Sequence, residues 1–170
     1  MVYNPYIYLN EIFAAIVAEM VTCNNFDFGY WPDVSNRLLT KGLTQAGQQA
    51  KYPLIVLHSE FRQDREYNSI VMMSTNPSIY IIARTKVEYT NTDRVTKVYK
   101  EVLEPIYYEL LNKLSISNYI DTTKPENLDH ERNDLFNANV RASNKSLFPE
   151  QLDVIEIKFK SLKIFKNCRK

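Results

Sequence analysis

Five charged residues crowded into one short stretch, Glu60, Arg62, Asp64, Arg65 and Glu66, come nearest to a catalytic cluster in this chain. The carboxylates of Glu60, Asp64 and Glu66 beside two bases could hold a divalent metal that polarises a phosphodiester and activates water. Metal-dependent nucleases usually carry such ligands on strands beside a lysine. Here the signs alternate instead, as they do in solvated loop ion pairs, which add little to stability. The stretch therefore reads first as a contact surface, and a metal-dependent nuclease using Glu60, Asp64 and Glu66 is the alternative.

Other chemistry is weaker still. His58 and His130 are the only histidines and lack metal-ligand spacing to one another; a lone histidine at a strand end, as at His58, is normally a satisfied structural group. Cys23 and Cys168 stand near opposite ends without CxxC spacing, which argues against a disulfide framework or a zinc site and for a reducing compartment. No glycine follows Gly47, and Gly42 and Gly47 lack the Lys-Ser/Thr ending of a phosphate-cradling loop. Nothing resembles a GxSxG or Cys–His nucleophile. The expectation is a protein with no catalytic, cofactor or metal residues, one that works through surfaces.

Composition bounds the surfaces. The formal net charge is +1, from 21 Lys and Arg against 20 Asp and Glu, so no global field draws the chain to nucleic acid or an anionic membrane. The basic run Lys158, Lys160, Lys163, Lys166, Arg169 and Lys170 is interleaved with apolar residues and reads as the solvent face of an edge strand before it reads as a DNA contact. Twelve tyrosines suit half-buried rims and interfaces. The apolar stretch from Tyr6 to Val21 is interrupted by Asn10, Glu11 and Glu19 and lacks a basic leader, which predicts a soluble, unexported chain.

The elements that must position these residues fall into one α+β domain over 1–170. Asn4 as N-cap and Pro5 at the first helical position open a helix whose stripe is Leu9, Ile12, Phe13, Ile16, Val17 and Met20. Residues 26–49 predict a short strand and a hairpin-like loop, with a helical turn over Val34 to Leu43 as the other option and a mobile loop from Thr40 to Lys51. The unalternating run Pro53 to Leu57 predicts a central strand covered on both faces. Ser69–Thr75 and Ser78–Thr85 predict two strands or one bent strand around Asn76-Pro77.

A second helix should start near Thr92-Asp93, with the stripe Val95, Val98, Val102, Ile106, Leu110 and Leu114 and a kink at residues 101–105 ahead of Pro105. Residues 115–150 predict an extended arm with few apolar positions, among them Leu128, Leu135 and Phe136. Ile155, Ile157 and Phe159 alternate with Glu156, Lys158 and Lys160 in a closing strand. The phase then shifts to Leu162 and Ile164, which implies a β-bulge or a turn into a last short strand. The expected fold is an antiparallel or mixed sheet flanked by two helices, with the arm before the C-terminal strand.

That order resembles the tail-terminator and tail-completion proteins of tailed bacteriophages, a family of head-to-tail connector rings. The resemblance is carried by Tyr52-Pro-Leu-Ile-Val-Leu-His-Ser-Glu-Phe61, by Ile79-Tyr-Ile-Ile-Ala-Arg-Thr85 leading into Thr92-Asp-Arg94, by Val102-Leu-Glu-Pro-Ile-Tyr107 and by Leu152-Asp-Val-Ile-Glu-Ile157. It implies a structural virion protein, made in the host bacterial cytoplasm, that forms a closed six- or twelve-fold ring at the neck or tail. Portal, connector or tail-tube proteins would be its neighbours, DNA would pass through the channel without specific contact, and no membrane would be involved. Head-to-tail closure needs two different complementary faces. The candidate contact residues are Glu60, Arg62, Asp64, Arg65 and Glu66 in the charged loop and Leu128, Leu135 and Phe136 in the arm. The arm departs from the shortest members of that family.

Overall fold

The computed structural model describes residues 5–58, 63–64, 71–121, 128–134, 136, 148–160 and 162–165. Pro5–Ala18 forms α1, and its expected stripe from Leu9 to Met20 is buried throughout. Phe26–Gly29 follows as β1 and ends at Gly29, whose φ of 128° lies where only glycine is unstrained.

The hairpin-like loop expected next is instead helical, as α2 (Trp31–Lys41) and the short α3 (Gln45–Gln49). Pro32 and Asp33 suit the first turn of α2, and Val34 and Leu38, one turn apart, face the sheet. The helical option over Val34 to Leu43 is thus the one the chain takes, and α2 segregates its apolar and polar residues clearly between two faces.

Five strands form the main sheet in the order β1, β2 (Leu54–His58), β5 (Ser78–Arg84), β8 (Leu152–Phe159), β7 (Leu128–Asn133). β1 and β2 are parallel and the other pairs antiparallel, which makes the sheet mixed. β2 is covered on both faces, as its unbroken apolar run requires. Ile55 and Leu57 join a cluster with α1 and the long helix, while Leu54 and Val56 join one with Val34 and Leu38 of α2. The middle position belongs to β5, with β2 one place out.

A second sheet has the order β3 (Gln63–Asp64), β4 (Val71–Thr75), β9 (Leu162–Phe165), β6 (Ile120–Asp121). It continues the first. β4 and β5 run against β9 and β8 as one ribbon, bridged where the Phe159 N–H donates to the Pro77 carbonyl at 3.0 Å. Ser78 pairs with Lys158 but Thr75 pairs with Leu162, so the β8–β9 side carries one extra residue at the junction. That residue inverts the alternation. It keeps Leu162 and Ile164 in the same cluster as Ile155, Ile157 and Phe159, which accounts for the phase shift in the sequence.

The long helix comprises α4 (Asn91–Asp93), a π-helical stretch (Arg94–Leu103) and α5 (Glu104–Ile116). Thr90 caps it, its side chain taking the Asp93 N–H while the Asp93 carboxylate takes the Thr90 N–H. The wide turns precede Pro105, whose ring would crowd the carbonyl four residues back in an α-helix; the Glu104 N–H reaches five residues back to Tyr99. Five-residue bonding moves the buried face. Arg94, Tyr99 and Leu103 turn inward with Val98, Ile106, Leu110 and Leu114, while the predicted Val95 and Val102 are only partly covered.

Within 115–150 the described residues include β6 and β7, and Phe148 is buried against α2 and the sheet. β7 reads Leu-Asp-His-Glu-Arg-Asn. Its strand character comes from pairing with β8, and its acidic residues bond across to lysines, so apolar alternation does not reveal it.

Candidate functional site

Glu60, Arg62, Arg65, Glu66 and Leu135 lie outside the described residues; Asp64 is described only as backbone, paired with Ser74 at the end of β3. Leu128 is half-buried on the main core, and Phe136 packs on Trp31 and Tyr80 with ring centroids 5.3 and 5.8 Å away. His58 sits in the same aromatic group, 5.3 Å from Trp31, and His130 places Nδ1 3.3 Å from the Tyr107 hydroxyl. Cys23 is buried with its thiol 3.4 Å from the Pro53 carbonyl, and burial pushes its pKa up. Among the described residues no group of three or more His, Cys, Asp or Glu could hold a metal ion.

The chain instead gathers its buried charge where β2 begins and β5 ends. Arg94 enters from the long helix and Asp153 from β8, at 4% and 0% exposure. The Arg94 Nη1 donates to Asp153 Oδ1 at 2.8 Å and to Thr85 Oγ1 at 3.3 Å, and Nη2 donates to the Lys86 carbonyl at 3.1 Å. Beside it the Tyr99 hydroxyl donates to Asp134 at 2.8 Å, and Arg132 both pairs with Asp134 and lies 3.7 Å over the Tyr99 ring. Burial works against ionising Asp134, but bonds from Arg132 and Tyr99 hold its pKa below the usual carboxylate value. Two charges on inward positions, Arg94 in a helix stripe and Asp153 in an apolar strand, were the available sequence signal for this network.

Next to the network opens a groove of about 610 Å³ between the α2–α3 turn, the start of β2, the loop after β5 and the approach to β8. Its floor holds the ion pair of Lys51 and Glu150, with Lys51 almost wholly buried. Gly42 makes room for that lysine, since a Cβ there would sit 2.5 Å from its Cε. Tyr52 lines the groove too; its hydroxyl is buried and has no hydrogen-bond partner among the described residues. Burial, reinforced by the Glu150 charge, drives its pKa far above the ordinary tyrosine value, so it stays a neutral phenol. Arg84 and Lys86 stand on the wall, and Leu39, Leu43 and Val87 are 45%, 82% and 69% exposed along the rim.

The two edges of the main sheet differ. At β1 the Phe28 N–H is taken by its neighbour Asp27 and the Phe28 carbonyl by Arg37, which is itself paired with Asp27, so the backbone groups of Phe28 are already engaged. Phe28 and Tyr30 are exposed there. At β7, Lys158 of β8 bonds Glu131 at 2.7 Å and Lys160 lies 3.0 Å from Asp129. These lysines thus face a neighbouring strand, and β8 is interior where the sequence suggested an edge. Hydrogen bonding to Glu131 raises the pKa of Lys158. Because the Phe159 N–H goes to Pro77, alternation leaves the outward backbone groups of β7 on Leu128, His130 and Arg132.

No protein-family model matches the chain, and no curated protein matches it. No helix among the described residues is long and apolar enough to cross a membrane.

Proposed function

We propose that this chain is a non-enzymatic virion subunit, a tail-terminator or head-to-tail connector protein that forms a ring at a bacteriophage neck or tail and joins head and tail around the DNA channel. The reading rests on the resemblance in the strands and long helix, and one structural observation carries it further. The main sheet ends in two unlike edges, aromatic at β1 and sign-mixed at β7, which the strand order sets on opposite sides. Opposite, unlike surfaces are what head-to-tail association requires.

Self-pairing of β7 about a two-fold axis is the competing arrangement, and charge disfavours it. Centred on His130, it sets Asp129 against Glu131; centred on Glu131, it sets that carboxylate against its own copy. A near-neutral net charge also suits a channel wall that lets DNA pass without holding it.

The test is mass and shape. Light scattering and negative-stain microscopy of the purified chain, alone and with portal or tail-tube protein, should show closed rings of six or twelve copies, and plasmid DNA should stay intact with Mg²⁺ or Mn²⁺. Plasmid cleavage abolished by Asp64→Ala would overturn the proposal in favour of the nuclease.

A further inference from the structure

The groove beside Tyr52 has features that neither core packing nor the sheet edges explain. Lys51 and Glu150 neutralise each other on its floor. Arg84 and Lys86 have no carboxylate within ion-pair distance among the described residues, although Lys86 lies 5.7 Å from the Tyr89 ring. Among the described residues the one other charge on the lining is Glu88, so the open wall they form carries a net positive charge. Three aliphatic side chains project from the rim, and Leu43 and Val87 are among the most exposed apolar residues of the chain. Below them lies a buried phenol whose hydroxyl has no hydrogen-bond partner among the described residues, a group that a bound acceptor would satisfy.

We propose that this groove docks an acidic, aliphatic segment of a partner polypeptide. Carboxylates of the segment meet Arg84 and Lys86, its aliphatic side chains cover Leu39, Leu43 and Val87, and a small shift of the Tyr52 ring lets the hydroxyl donate to the bound segment. A polypeptide fits better than a small carboxylate. A small ligand seated in the groove leaves the rim wet, because Leu43 and Val87 stand out beyond the floor, whereas a chain crossing the groove covers both floor and rim. The volume lies within the usual range for binding clefts. The inference is independent of ring formation, since the groove is separate from the β1 and β7 edges.

Three fluorescein-labelled twelve-residue peptides test it by polarisation against the intact chain: Leu and Val alternating with Glu, the same with Gln, and the same with Lys. The Glu peptide should bind at least tenfold more tightly than the Gln peptide, and the Lys peptide should be weakest. The double variant R84E/K86E changes only exposed or wall residues and should reverse the order of the Glu and Lys peptides; Leu43→Ser should weaken all binding, and circular dichroism should confirm that both variants are folded. Equal binding of the three peptides, no binding, or an unchanged order in R84E/K86E overturns the proposal. So does displacement of the Glu peptide by hexanoate at equal molar concentration, which would mark a small-carboxylate site. Concentration-dependent self-association abolished by R84E/K86E also overturns it and assigns the groove to a second copy. Ring formation by R84E/K86E, followed by light scattering, separates failure here from failure of the ring reading.

Discussion

Replacing Asp153 by Ala should be among the most damaging single changes in the chain. The carboxylate is fully buried and bonds an Arg94 guanidinium that is itself 4% exposed. After the change the hydrogen-bond acceptors left to Arg94 among the described residues are neutral, Thr85 Oγ1 at 3.3 Å and the Lys86 carbonyl at 3.1 Å, and its charge, buried away from water, loses its direct partner and keeps only the more distant Asp134. Breaking a buried pair from one side costs about 3–5 kcal/mol, a large share of the roughly 5–15 kcal/mol that holds a domain together. With a urea m-value of about 1–3 kcal/mol/M, the midpoint falls by about 1 M or more. Removing both charges is a different matter, because burying either ion carries its own desolvation cost. The double variant R94M/D153L should recover most of the loss and lie within about 2 kcal/mol of the parent. Urea melts followed by circular dichroism, fitted with separate m-values, decide it. A loss below about 1 kcal/mol in Asp153→Ala, or a double variant no more stable than the single one, would falsify the assignment of this pair as a desolvated ion pair.

Leu103→Ala should cost about 2–5 kcal/mol and Val95→Ala much less, because the π-helical stretch turns Leu103 into the core and leaves Val95 at its margin; thermal melts of the two variants compare them. The Lys97 and Thr90 bonds hold the exposed Asp93 carboxyl at about 2, below its usual 3.8, so its stabilising contribution is complete above pH 3.8 and fades as pH falls toward 2. Asp93→Asn should remove that part of the acid-side decline, read as melting temperature between pH 2 and 5. Glu109 takes the N–H groups of Val21 and Thr22 at 2.8 Å each and ties the exit of α1 to α5; Glu109→Ala should cost about 1 kcal/mol, kept small by solvent, and speed amide exchange at those two positions.

Much of the architecture was legible in the residues because burial there is one-sided or complete. The α1 stripe from Leu9 to Met20, the two-sided apolar run of β2 and the shifted alternation between Phe159 and Leu162 each state which faces meet the core, and the structure uses them that way. α2 was not legible in the same way. Val34, Ser35 and Leu38 share its inward face, but the aromatics from Phe26 to Trp31 before them and Gly42 and Gly47 after them also suit a strand and a loop, so the helix over Val34 to Leu43 stood as one of two options. β7 is a strand through its partner, its acidic side chains satisfied by lysines of β8 and the residue beyond it.

Residue order by itself determined the α+β class, α1, the long helix and the existence of β2, β5 and β8 as strands, though not their places in the sheet, because hydrophobic periodicity is local and survives without knowledge of partners. Tertiary structure alone decided which strands adjoin, which face of the long helix turns inward once its bonding widens ahead of Pro105, and where charge is gathered. Arg94 with Asp153, and Lys51 with Glu150, are separated by long stretches of chain and meet only because the sheet brings the start of β2, the end of β5 and the start of β8 to one side. An ion pair is a property of distance in space, and a groove is a property of several segments at once, so neither is written at any single position.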